Sequence, residues 1–79
     1  ALPICAELAV VNIRVGRNEE ALKVLQAALE IDPKYAEAYR LMGIAQLQMK
    51  KNQEACQSFA KAKELGDPNV DELIKKHCK

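Results

Sequence analysis

The sequence predicts an all-α chain of five helices arranged as antiparallel pairs. Three observations carry this. Apolar residues recur at three- and four-residue steps along most of the chain. No strand pattern is present, and three aromatics (Tyr35, Tyr39, Phe59) with few β-branched runs argue against a sheet. The chain also matches itself at a shift of 34 residues: Asn18 meets Asn52, Glu20 meets Glu54, Ala21 meets Ala55, Ala28 meets Ala62 and Glu30 meets Glu64. Around these identities small meets small and large meets large, as in Ala9 with Gly43 and Leu25 with Phe59. Two copies of one packed unit require that.

The first helix carries Ile4, Leu8, Val11 and Val15 at helical spacing, and Gly16-Arg17-Asn18 breaks it. Asn18 suits an N-cap for the second helix, with Glu19 and Glu20 in the first turn, where the helix dipole favours negative charge. That helix shows Ala21, Leu22, Leu25, Ala28 and Leu29 on one face. Asp32-Pro33 is expected to stop it and start the third helix, Asp32 as cap and Pro33 at the first helical position. The third helix is expected over about 34–49, broken at Lys50-Lys51-Asn52, and the fourth over about 53–65, ended by Gly66. Asn69 and Glu72 have the capping-box spacing for a fifth helix over about 70–78. Leu73, Ile74 and His77 fall on one side of it and Lys75, Lys76 and Lys79 on the other. Connections of three to four residues make neighbouring helices antiparallel.

Composition narrows the function. With 79 residues there is room for one domain. Hydrophobic residues at 49% and charged residues at 29% exclude a disordered chain. Twelve Lys and Arg against eleven Asp and Glu leave a net charge of +1, so there is no footprint for nucleic acid or an anionic membrane. The longest apolar run is the four residues Leu8 to Val11, far too short to span a bilayer. The chain opens Ala-Leu-Pro rather than on Met, and it is expected to be a piece of something longer.

Cys5, Cys56 and Cys78 are odd in number and widely spaced, a poor disulfide framework. They read as small apolar filler in a reducing compartment, which favours the cytoplasm, with Cys78 the best placed for any thiol role. His77 has no Asp, Glu or Cys pair at metal or catalytic spacing and is expected to pack against the fold. Gly16, Gly43 and Gly66 form no phosphate loop. No enzyme, metal or cofactor motif is present.

These residues resemble the tetratricopeptide repeat (TPR) family, whose period is 34 residues with fixed large and small positions. The second copy carries the resemblance best, through Tyr39, Met42-Gly43, Ala55, Phe59, Ala62 and Pro68. The first carries it through Leu8-Ala9, Gly16, Ala21, Leu25, Ala28 and Pro33, departing at Cys5 and Asn12. The resemblance implies a right-handed α-α superhelix with one repeat over about 2–35, a second over about 36–69 and a capping helix over about 70–78. It implies a non-catalytic protein- or peptide-binding module, with the first helix of each pair on the concave face. Val10, Ile13, Arg14, Glu37, Arg40, Leu41, Ile44, Leu47 and Gln48 then line that face. The apolar ones form the contact patch, and Arg14, Glu37 and Arg40 orient a partner. The alternative is a structural segment that closes a longer solenoid or self-associates, its patch covered by other parts of the parent protein.

Some members of the family clamp acidic chaperone tails with Lys, Asn and Arg. The matching positions here hold Ala6, Val10 and Leu41, or Glu7, Glu37 and Leu41, which offer a carboxylate nothing, so no such clamp is expected. In the second copy Ala38, Ala45 and Met49 face the preceding pair; their equivalents are Ile4, Val11 and Val15. This aliphatic strip is expected to meet an upstream helix or a second copy of the chain, or to stay exposed.

Overall fold

The computed structural model describes residues 2–78, with side chains from residue 4 onward. Lys79, expected on the outer face of the last helix, lies outside the described residues. Five helices follow in order: α1 (Leu2–Arg14), α2 (Asn18–Ile31), α3 (Ala36–Gln48), α4 (Asn52–Glu64) and α5 (Asp71–His77). Among the described residues there is no strand. Each helix packs on the next, and α1 also touches α3, whereas α2 and α4 do not meet. First helices in contact and second helices splayed bend the stack toward the α1/α3 side.

Alanine dominates the interior. Ala6, Ala9, Ala21, Ala38 and Ala45 are buried with Ile13, Leu25 and Leu41 in one cluster. Ala55, Phe59, Ala62 and Val70 form a second, which Tyr39, Ile44, Leu47, Leu73 and Ile74 cover. Small side chains let helix backbones approach closely, so larger ones fill only the remaining gaps. Gly43 is the extreme case: a Cβ there would collide with the ring of fully buried Phe59.

Three helices stop in the same way. Beyond α1, α3 and α4 the residue in the left-handed region is Gly16, Lys50 and Gly66, with φ of +85°, +63° and +94°. In each case the following amide donates back into the helix, Arg17 to the Asn12 carbonyl, Lys51 to Gln46 and Asp67 to Ala62. This is the Schellman closure. Lys50 stands where the first copy has Gly16, so its backbone is strained there.

Helix starts differ from expectation. Arg17, not Asn18, precedes α2, and the Asn18 Oδ1 is buried without a hydrogen-bond partner. Asp32 does not cap α3. Its Oδ1 accepts from the Lys34 amide at 3.1 Å, its carbonyl accepts from the Tyr35 amide, and Pro33 lies in that turn, three residues before the helix begins. The Asn69–Glu72 box does not form, because Val70 precedes α5 and the Asn69 amide donates to the Asp67 Oδ1 at 2.8 Å. Before α3 and α5 an aspartate carboxylate takes an amide two residues ahead in its own turn, which competes with capping.

The cysteine reading is overturned. Cys56 on α4 and Cys78 at the end of α5 form a disulfide, with Cα atoms 5.7 Å apart, and only Cys5 is free. Their 22-residue separation conceals that α4 and α5 are neighbours. The case for a reducing compartment goes with it. His77 is likewise not packed: it is exposed.

Two measurements follow. Gly43→Ala should destabilise the fold by about 2 kcal/mol in urea unfolding, because the Phe59 ring has no space to yield. Reducing the disulfide, or Cys78→Ser, should remove about 3 kcal/mol by releasing the loop constraint. Amide exchange should then rise first in α5, which has no fully buried residue within it.

Candidate functional site

The expected contact residues other than Arg40 divide into three groups. Ile13 and Leu41 belong to the core, 7% and 4% exposed, and cannot form a free patch; the closeness of α1 to α3 buries them. Ile44 and Leu47 are half-buried against the second cluster, and Gln48 is exposed. Val10, Arg14 and Glu37 come together in an open groove of about 560 Å³, where α1 passes the start of α3. Ala6, Glu7, Val11 and Tyr35 complete its lining.

The groove has an apolar floor, Ala6, Val10 and Val11, because Ala6 and Val10 stand one helical turn apart on α1 and Val11 adjoins them. Charges rim it. Tyr35 was not anticipated. The turn at Asp32 brings it to the head of α3, where its hydroxyl donates to Glu37 Oε1 at 3.0 Å. The only sequence signal was an acid two residues after an aromatic.

From Glu37 a polar chain continues. Glu37 Oε2 faces Arg40 Nη2 at 3.4 Å, and Arg40 Nε donates to Asp67 Oδ2 at 2.8 Å. Asp67 is buried, so this pair fixes α3 to the turn between α4 and α5. Arg40 is therefore a positioning residue for Glu37, set in a smaller notch beside the groove. Glu37, and through it the Tyr35 hydroxyl, is thereby linked to that pair.

Burial, then the Glu37 hydrogen bond and charge, push the Tyr35 hydroxyl up from 10.0 to about 12. The folded state keeps this proton while the unfolded chain loses it near pH 10. The contribution is complete below pH 10 and is lost as pH rises toward 12. Urea midpoints of the wild type should fall across that window more steeply than those of Tyr35→Phe.

No described helix is long and apolar enough to cross a membrane. Comparisons with curated proteins and with solved structures give no match. The family model for the TPR repeat matches residues 14–50, which take in α2 and α3 whole. Five helices, packed as consecutive antiparallel pairs with a short closing helix, fit two repeats and a cap. Over residues 14–50 the chain is therefore similar to the tetratricopeptide repeat family, and its five-helix architecture supports that assignment.

Proposed function

We propose that the chain is a peptide-binding scaffold, two helix pairs over about 2–35 and 36–69 closed by a cap over about 70–78, whose ligand lies in the groove between α1 and the head of α3. Similarity to the tetratricopeptide repeat supports a protein-interaction module. The observation that carries the finer reading is the groove itself, an apolar floor with charges of both signs at its rim, of which Glu37 is held by Arg40. An extended or helical peptide with one or two apolar side chains fits such a floor. Arg14 and Glu37 set its direction through opposite charges, and Ile44 and Leu47 extend the contact along α3. Because Tyr35, Glu37 and Arg40 are already ordered, little entropy is lost on the scaffold side when a ligand binds.

The Cys56–Cys78 bond supports work in an oxidising compartment, where such bonds persist.

Selection from a displayed random peptide library tests the reading. Enriched peptides should share an apolar anchor, and their binding should shift amide resonances at Val10, Tyr35 and Glu37. Val10→Glu should weaken binding at least tenfold with unchanged circular dichroism, since Val10 lies at the groove surface. Binding that maps to α4 or α5 and ignores Val10→Glu would overturn it.

A further inference from the structure

The side of α1 turned away from the core carries a continuous aliphatic strip. Ile4, Leu8, Val11 and Val15 are 69%, 49%, 54% and 64% exposed. Val15 extends the strip beyond the last helical residue, because its amide still donates to the Val11 carbonyl at 3.1 Å. Their spacing of four, three and four residues is the seam of a two-helix coiled coil.

We propose that this strip binds the same strip of a second copy of the chain, α1 against α1 in antiparallel orientation about a two-fold axis.

Two observations choose this occupant. The first is charge. Glu7 and Arg14 flank the seam on one side, both exposed and neither in an ion pair among the described residues. In an antiparallel pair Ile4 meets Val15 and Leu8 meets Val11, and same-side flanks face each other. Glu7 of one copy then faces Arg14 of the other, twice by symmetry. A parallel pair would set Glu7 and Arg14 against the flank that holds Cys5 and Asn12, which carries no charge to match.

The second observation is side-chain size. The equivalent seam on α3, which receives α2, has Ala38 and Ala45 fully buried where α1 has Ile4 and Val11. Alanine there admits a backbone at close range. Isoleucine and valine instead hold a partner further off and interlock as knobs, which suits a self-complementary seam better than the close contact α2 makes.

The seam borders the groove through Glu7, Val11 and Arg14, whereas Val10 and Tyr35 lie outside it. The peptide reading and this one therefore fail independently.

Sedimentation equilibrium of the 79-residue chain tests the proposal, with Cys5→Ser to remove crosslinking through the free thiol. The expected mass is twice the 8.8 kDa monomer, returning to 8.8 kDa on dilution. Leu8→Glu and, independently, Val11→Lys should give monomers with unchanged circular dichroism, since both sites are exposed. Glu7→Arg or Arg14→Glu alone should raise the dissociation constant roughly tenfold, and the double exchange should restore it. A wild type that stays at 8.8 kDa up to millimolar concentration overturns the proposal and leaves the strip for a helix of another kind. So does a dimer that ignores Leu8→Glu, or a double exchange no tighter than the singles.

Discussion

Close approach of helix backbones is the constraint on which this small fold depends. A chain of 79 residues has too little interior for a core of large side chains between five separate helices. It gains burial by narrowing the gaps. Eight alanines, a glycine and a few larger residues take the interior positions. The two copies balance this differently. The first pairs Ala9 with Leu25, and the second pairs Gly43 with Phe59 at the matching places. One side loses a methyl where the other gains a ring, so the filling changes between the two copies.

That constraint explains why the fold was legible in the sequence and its edges were not. Helical period and the 34-residue self-match report which residues face inward, and packing enforces both. Helix starts answer to weaker forces. Asn18, Asp32 and Asn69 each have a capping residue's chemistry, yet none caps the helix assigned to it. Asp32 and Asp67 bond amides two residues ahead in their turns, which shifts the helix start past the residue that the sequence offers. Helix ends were more readable, because a left-handed residue is a backbone requirement; only Lys50 hides it.

The site was legible in part, for the same reason. Counting positions along α1 and α3 selects a face but not a depth. Val10 and Ile13 lie on neighbouring lines of α1, yet one lines the groove and the other is sealed in the core by α3. Depth depends on how near α3 comes, which the small residues buried beside Ile13 allow, rather than on Ile13 itself. Tyr35 and the Arg40–Asp67 pair escaped for a different reason. They connect residues across turns, the latter over 27 positions, where periodicity carries no information.

The outer faces of α1 and α4 are treated in opposite ways. At the C-terminal end α5 is too short to be held by burial alone, with Leu73 and Ile74 only half-buried, and a covalent bond to Cys56 completes its attachment. The buried Asp67 carboxylate reinforces it by tying the preceding turn back to Arg40, and through Glu37 to the groove. Ordering of the groove's acidic wall and docking of the last helix thus share one polar chain. At the other end α1 repeats the seam that α3 uses to receive α2, enlarged and without a cover. The α5 side is closed by residues of the chain itself, while the α1 seam is exposed among the described residues, bordered by a negative and a positive charge that complement their own reversed copy.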